Sequence, residues 1–147
     1  MNFDEKLQQN KINPVAYTGQ NKGQYGLSGF TNALKIEKDW GYELIHQNHG
    51  LYCCKLLHIH PNSSCSFHLH MEKHETLLVI AGTLYIDSTH NKEEATHIVN
   101  QGEAFVVAPG YIHSLRAKGE PVTLIETSTP SYDTDSIRID NGYKERK

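Results

Sequence analysis

Side chains that bind metal ions gather in one stretch of this chain, FHLHMEKHETLLVIAG, residues 67 to 82. His68, His70, His74 and Glu75 fall within eight positions there, directly before an apolar segment. Imidazole nitrogens and carboxylate oxygens bind transition metals, but they also form ordinary polar hairpin ends. The stretch therefore allows two interpretations, a metal site or a polar turn.

The spacing favours the metal site. Residues two apart in a strand point to the same side, so His68 and His70 project together. Glu75 follows a short turn, and a hairpin would bring its carboxylate beside the two rings. His113 follows a Pro-Gly turn in the distant stretch GEAFVVAPGYIH and offers a third imidazole. This mixed nitrogen and oxygen shell suits Mn, Fe, Co, Ni or Zn and leaves positions for water or substrate.

The alternative for these four residues is a hydrogen-bonded polar cluster without metal. The chain has ten histidines, and they are spread along it rather than run together. A second His-x-His pair, His58 and His60, has no acid four or five residues later, and Pro61 ends its strand. Surface positions are therefore favoured for that pair. His74 is predicted to be an exposed hairpin residue.

Short segments rich in Val, Ile, Leu, Tyr and Thr must position these side chains. Turn residues separate the segments, and no long helical pattern occurs. The predicted strands are 42–46, 51–60, 65–70, 76–81, 83–87, 95–99, 104–107, 111–116 and 122–128. So many strands without intervening helices predict an all-β antiparallel sandwich or barrel, because each half-buried sheet needs another sheet to cover it.

The barrel is predicted over residues 36–130. Residues 1–35 are rich in Asn, Gln, Lys and Gly and are interpreted as an irregular arm, and residues 131–147 as a polar, solvated tail. At 147 residues, the length is that of one domain.

The composition excludes several classes of protein. A net charge of −3 argues against a nucleic-acid-binding surface, and no apolar run is long enough to cross a bilayer. The first residues show no secretory signal, so a cytoplasmic location is expected. The three cysteines, Cys53, Cys54 and Cys65, are an odd number and include an adjacent pair, which favours free thiols.

Two motifs carry a resemblance to a known superfamily. The first reads H-x-H-x4-E-x6-G and ends at Gly82, and the second reads G-x5-A-P-G-x-x-H from Gly102 to His113. They resemble the two cupin motifs, in the same order, although Ala108 stands where the family usually has proline and Ala117 where it often has asparagine. The resemblance implies a double-stranded β-helix, or jelly roll, with a metal inside one mouth. It also implies the ligand set His68, His70, Glu75 and His113.

From Trp40 to Tyr143 the chain also resembles a more specific group, the cupin half of bifunctional mannose-6-phosphate isomerases. This resemblance rests on Trp40-Gly41-Tyr42-Glu43, Lys55-Leu56-Leu57, Ile125-Glu126 and the segment 136–140. The resemblance implies carbohydrate chemistry on a sugar, sugar phosphate or nucleotide-linked sugar. It also implies a homodimer.

Such a reaction needs a group that moves a proton beside the metal. Glu126 is the candidate base, and Lys55 the candidate partner of an anion or oxyanion. Their phase in the strand alternation is ambiguous, so outward positions for both are an equal alternative. Arg138 could hold a phosphate or carboxylate by its fork of donors, or pair with Asp140 at the surface.

Three functions from different classes follow. The first is a metal-dependent isomerase or epimerase of a carbohydrate. The second is a non-haem iron dioxygenase, since three histidines and a glutamate also hold iron. The third is a non-catalytic carbohydrate-binding or sensing cupin.

Overall fold

The structure is a computed structural model and describes residues 33–90 and 93–139. Within these residues the chain forms eleven strands and one short 3-10 helix. The strands are β1 (Leu34–Lys38), β2 (Gly41–Asn48), β3 (Cys53–Ile59), β4 (His68–His70), β5 (Glu75–Ala81), β6 (Leu84–His90), β7 (Glu93–Val99), β8 (Ala104–Val107), β9 (Ile112–Arg116), β10 (Val122–Ser128) and β11 (Ser136–Arg138). The 3-10 helix is Asp133–Asp135. Nearly all of the predicted arm lies outside the described residues.

The strands form two antiparallel sheets. One has the order β1-β2-β3-β10-β5-β8 and the other the order β11-β4-β9-β6-β7. Non-consecutive strands are neighbours in both sheets, as in a jelly roll, where the chain crosses repeatedly between the two layers. The all-β jelly-roll prediction is confirmed.

Burial alternates along the central strands because successive side chains point to opposite faces. In β3 every second residue is buried, starting with Cys53, and β10 follows the same pattern from Val122 to Glu126. The aliphatic core fills the space between the sheets. It consists of Leu57, Ile59, Leu77, Val79, Leu84, Ile86, Val99, Val107, Leu115, Ala117, Val122 and Leu124.

Gly82, the last residue of the first motif, turns the chain from β5 into β6. Its φ is +83°, and a Cβ there would lie 2.5 Å from the backbone oxygen of Pro121. Both the conformation and the close approach favour glycine. The backbone geometry therefore explains why the first motif ends in glycine.

All nine predicted segments overlap an observed strand, and two short strands lie outside them. β1 borders β2, and β11 pairs with β4, placing Ser136 opposite His70 and Arg138 opposite His68. The sheet thus extends past residue 130, the predicted boundary of the barrel. Cys53, Cys54 and Cys65 are free, as predicted. No helix in the described part of the chain is long and apolar enough to span a membrane.

Candidate functional site

The three candidate imidazoles meet where β4 lies beside β9. His68 is directly opposite His113 in the strand register, and their ring centroids are 4.4 Å apart. The His70 ring centroid lies 5.1 Å from that of His68 and 6.3 Å from that of His113. Two distant segments therefore bring three rings into one cluster, in which His70 and His113 are buried and His68 is half-buried.

The Glu75 carboxylate reaches the same cluster from the first residue of β5. Its Oε1 atom lies 3.5 Å from His70 Nε2 and 3.7 Å from His113 Nε2. These distances are too long for good hydrogen bonds. They are close to the roughly 3.0–3.4 Å that separates adjacent ligands of one ion with bonds near 2.1 Å.

Backbone carbonyls fix the orientation of two of the rings. His68 donates its Nδ1–H to Ser66 O and His113 donates its Nδ1–H to Tyr111 O, each at 2.9 Å. A carbonyl only accepts, so Nδ1 carries a proton, and in the neutral form of each ring Nε2 keeps a free lone pair. Metal-binding histidines commonly have this arrangement.

Burial keeps two of the rings neutral. Burial, followed by the charge of Lys73, lowers the pKa of His70 to about 4. Burial and the neighbouring His68 lower the pKa of His113 to about 3. For His68, burial also lowers the pKa, but the hydrogen bond and charge of Cys65 raise it more, so its pKa is raised. Neutral imidazole is the form that binds a metal.

A buried network of charges adjoins the cluster. Lys73 Nζ lies 2.9 Å from Glu75 Oε2 and 2.6 Å from Glu126 Oε1, and all three side chains are almost inaccessible to solvent. Lys55 Nζ lies 3.9 Å from Glu126 Oε1 and 3.7 Å from Glu43 Oε2. Lys73 therefore bridges the candidate metal ligand and the candidate base.

The neighbouring charges shift the pKa values of the two carboxylates in opposite directions. Burial and the Glu126 charge raise the pKa of Glu75 to about 7, against the pull of Lys73. Burial also disfavours ionised Glu126, but the charges of Lys73 and Lys55 outweigh it and lower its pKa to about 2. Burial lowers the pKa of Lys73, but Glu126 and Glu75 raise it more, so it is raised and Lys73 is charged.

Unpartnered buried atoms mark where a further group would fit. His70 Nδ1 and Glu75 Oε1 are buried and make no hydrogen bond within the described residues. The donor chemistry of the cluster fits a divalent transition metal. In residues 33–90 and 93–139, no group of three or more His, Cys, Asp or Glu side chains is already spaced to hold a metal ion. Metal binding would therefore require the rings to move slightly closer to one another.

The other predicted site residues lie around the cluster. Glu126 and Lys55 are buried and point inward, which removes the ambiguity in their strand phase. Counting back in steps of two from the buried Leu57 would have found this phase for Lys55. Arg138 is exposed but directly opposite His68, and opposed residues of an antiparallel pair share a face, so it lies at the rim of the site.

Sequence reasoning missed Lys73 and Asp135. Lys73 lies in a short loop and Asp135 is the last residue of the 3-10 helix, places where Lys and Asp are ordinarily solvated, and no local pattern marks them as buried. Asp135 Oδ2 lies 3.9 Å from His70 Nδ1, and its carboxylate accepts hydrogen bonds from three backbone N–H groups of the loop between His70 and Glu75.

Known proteins share this architecture. The chain is 23% identical over 137 residues to the alginate biosynthesis protein AlgA of Pseudomonas putida, an alignment that covers 90% of this chain and 27% of that protein. The capsular polysaccharide assembling protein CapF of Staphylococcus aureus superposes with a TM-score of 0.66 at 19% identity, over 79% of this chain and 32% of CapF. The oxalate decarboxylase of Bacillus subtilis, in a structure concerned with its Mn(II) centres, superposes with a TM-score of 0.65 at 18% identity, over 75% and 31% of the two chains.

The chain thus spans between about a quarter and a third of the length of these three relatives. At these identities the superpositions show the fold alone. The cupin family model matches residues 42–140, which include both motifs and the whole cluster. This chain belongs to the cupin family.

Proposed function

We propose that this protein is a metal-dependent isomerase or epimerase of a small carbohydrate. The candidate substrates are a sugar, a sugar phosphate or a nucleotide-linked sugar. The observation that carries the enzyme proposal is the buried Lys73 bridge, which joins the candidate ligand Glu75 to the candidate base Glu126. A site that only binds sugar has no need to bury Lys55, Lys73 and Glu126 beside its metal ligands.

The divalent metal would be held by four side chains whose free donor atoms face one another. His113 is already neutral and protonated on Nδ1, His70 is neutral, and Glu75 presents Oε1 to the rings while Lys73 holds Oε2. The ligands are His68, His70, His113 and Glu75. Such an ion, when bound, supplies a Lewis acid that stabilises negative charge on a carbonyl or hydroxyl oxygen of the substrate.

The chain's own groups would move the proton. Glu126 is ionised and lies 2.6 Å from Lys73 Nζ in an ion pair that is not aligned as a hydrogen bond. When Lys73 turns its ammonium towards a substrate oxygen, the pKa of Glu126 rises towards its usual range, and Glu126 becomes a better base. Glu126 then takes the proton from carbon, and the C–H electron pair moves to the carbonyl oxygen, giving an enediolate that Lys73 and Lys55 stabilise. Return of the proton from Glu126 to carbon completes the reaction.

The choice of a carbohydrate has two supports. The order of residues from Trp40 to Tyr143 resembles the cupin half of mannose-6-phosphate isomerases. Two relatives carry names that refer to polysaccharides, alginate and capsule. Arg138, at the rim beside His68, is the candidate contact for a phosphate or carboxylate of the substrate. A cytoplasmic homodimer remains part of the proposal, and sedimentation of the purified protein tests the dimer.

Metal analysis tests the foundation of the proposal. Purified wild type is expected to hold about one divalent ion per chain, and His113→Ala to hold far less, as measured by plasma mass spectrometry after gel filtration. His60→Ala is the matched control, because His60 is exposed and belongs to the other His-x-His pair. Equal, sub-stoichiometric metal in all three proteins would remove the proposal.

Solvent exchange tests the reaction without knowledge of its direction. Metal-loaded protein is incubated in D2O with a panel of aldoses, ketoses and their phosphates, and deuterium on carbon is followed by NMR. Glu126→Gln should abolish the exchange, while the exposed Glu120→Gln should not. Oxygen consumption without exchange would favour the dioxygenase, and sugar binding without either would favour the sensor.

A further inference from the structure

A segment near the C-terminal end of the described chain lies along residues 67–75. This ligand loop comprises β4, the turn after it and the first residue of β5, and it carries His68, His70 and Glu75. The segment itself, the strap of residues 129–139, follows β10 and includes the 3-10 helix and β11. It bonds the ligand loop at both ends. Thr129 exchanges two hydrogen bonds with His74, at 3.0 and 3.1 Å, and Ile139 N donates to Phe67 O at 2.9 Å. Between these ends, β11 pairs with β4.

Asp135 holds the middle of that loop. Its Oδ1 accepts the backbone N–H groups of Met71 and Glu72, and its Oδ2 accepts that of Lys73, each at 3.0 Å. The side chain is almost fully shielded from solvent. Three charge-assisted bonds to successive residues fix the path of the chain between His70 and Glu75.

His70 differs from the other two rings of the cluster. His68 and His113 each donate Nδ1–H to a backbone carbonyl, whereas His70 Nδ1 is buried without a hydrogen-bond partner in the described residues. A carboxylate oxygen, Asp135 Oδ2, lies 3.9 Å from that nitrogen. A movement of about 1 Å would make this contact a hydrogen bond of ordinary length.

We propose that Asp135 is a positioning residue for the metal site, which accepts the Nδ1–H of His70 and so presents His70 Nε2 to the ion. This inference rests on the metal binding proposed above and concerns a residue outside the ligand set. One carboxylate then performs two tasks. It orients a ligand ring, and it fixes the loop that carries Lys73 to its place beside Glu75.

The geometry explains why a carboxylate stands here rather than a neutral amide. Oδ2 has to accept two donors, the Lys73 backbone N–H and His70 Nδ1–H, and a carboxylate oxygen has the lone pairs for both. In Asp135→Asn one oxygen becomes an NH2 donor. Whichever way the amide turns, it leaves a donor facing either the loop N–H groups or the ring.

Metal affinity tests the inference. Asp135→Asn is expected to weaken Co2+ or Mn2+ binding by about 10- to 100-fold, the usual loss for the outer partner of a ligand. The visible absorption spectrum of the Co2+ form should change as well. Asp133→Asn is the matched control, since Asp133 belongs to the same 3-10 helix and is exposed. Asp133→Asn should keep the wild-type affinity and spectrum.

A double-mutant cycle separates positioning from simple support of the loop. If Asp135 acts through the ring, Asp135→Asn should cost little further affinity in a His70→Ala background, and the two losses should be strongly non-additive. Fully additive losses, or wild-type affinity in Asp135→Asn alone, would overturn the inference while leaving the metal site intact. No metal binding by wild type would instead overturn the proposed function and the inference with it.

The wild-type protein offers a second measurement, should Asp135→Asn fold poorly. In the Zn2+-loaded protein, 15N-labelled histidine should show a protected Nδ1–H of His70, shifted downfield by a carboxylate acceptor. His70→Gln assigns the signal. A His70 Nδ1–H that exchanges rapidly with water would contradict the inference.

Discussion

The interior of the barrel has two ends of opposite chemistry, although the same three strands build both. The aliphatic end contains Leu57 and Ile59 of β3, Leu77 and Val79 of β5, and Val122 and Leu124 of β10. The next inward position of each strand is charged, and these positions are Lys55, Glu75 and Glu126. A step of two residues along each strand therefore separates the core from the candidate site.

The aliphatic end strengthens the electrostatic interactions of the polar end. Apolar neighbours lower the local dielectric, so each charge interacts strongly with the next, and the pKa values of Glu75 and Glu126 move in opposite directions. The aliphatic end is stabilised by burial, which is not directional. The polar end depends on a matched set of partners, so we expect the two ends to respond differently to substitution.

The largest effect is expected from Lys73→Met, which removes the ammonium between two buried carboxylates. Breaking a buried pair in this way costs about 3–5 kcal/mol of the free energy of unfolding. Urea denaturation of the metal-free protein measures it, and metal affinity should change as well. Lys35→Met, which breaks a surface pair with Glu37, is the control and should have little effect. Equal free energies of unfolding for the two variants would contradict the expected difference between the buried charge network and a surface ion pair.

Leu124→Ala tests the aliphatic end. The side chain is fully buried, so the cavity should cost about 2–5 kcal/mol, again measured by urea denaturation. Unlike Lys73→Met, it should leave the metal affinity of the folded protein unchanged. Leu51→Ala, at an exposed leucine, controls for the loss of the side chain itself. A lost metal site in Leu124→Ala would show that the two ends are not separable.

Acid should destabilise the metal-free protein through its polar end. Between about pH 6.5 and pH 4.5 the unfolded chain binds two protons, on His70 and His113, that the folded chain does not, because their folded pKa values are about 4 and about 3. Folded Glu75, whose pKa is about 7, binds one proton more than unfolded Glu75. From these three groups the net difference is 2 − 1 = 1 proton. His49 and His58, whose pKa values are lowered by burial, add to it in the same direction, and His68, with its raised pKa, contributes only above pH 6.5.

The free energy of unfolding should therefore fall by at least about 1.4 kcal/mol for each unit of decreasing pH in that window. Denaturation curves at several pH values in chelator-treated buffer measure it. His113→Gln removes the His113 proton from this difference, so its slope should be shallower by about 1.4 kcal/mol per pH unit over the same window. An identical slope in wild type and His113→Gln would refute this origin.

The smallest effect is expected from Asn48→Ala. The Asn48 side chain donates to Ser131 O at 2.8 Å and accepts from Ser131 N at 3.0 Å, which ties β2 to the strap. Its loss should cost roughly 1 kcal/mol. Amide hydrogen exchange should quicken in the strap and leave the aliphatic end unchanged. Asn62, which is exposed and accepts one hydrogen bond from Gly119 N outside the strap, is the comparison, and Asn62→Ala should leave exchange in the strap unchanged.

Alternation and turn residues were enough to predict the strands and an antiparallel sandwich or barrel, because half-buried sheets leave a strong period of two. The jelly-roll topology was implied by the resemblance of the two motifs to those of cupins. The meeting of His68 with His113 was also predictable, since motif residues carried it. Lys73 and Asp135 were not. Their burial depends on which distant segments cover the loop, and a loop sequence carries no period from which to read this.

β11 was missed for a related reason. Ser136–Arg138 alternates polar and apolar side chains, but it is only three residues long and all of them are exposed, so neither the pattern nor burial marks it as a strand. Its strand conformation depends on pairing with β4, a tertiary effect that outweighs local propensity. The strand phase of Lys55 and Glu126, in contrast, could have been read from the neighbouring leucines.

The strap has a consequence for the order of folding. Asp135 forms hydrogen bonds with residues 62 to 64 positions earlier in the chain, so these contacts close a long loop. The conformational entropy lost on closing that loop opposes their formation until the surrounding structure is in place. During synthesis the ligand loop leaves the ribosome well before the segment that fixes it. The ion would then be captured in one of the last steps of maturation, after the aliphatic end has already condensed.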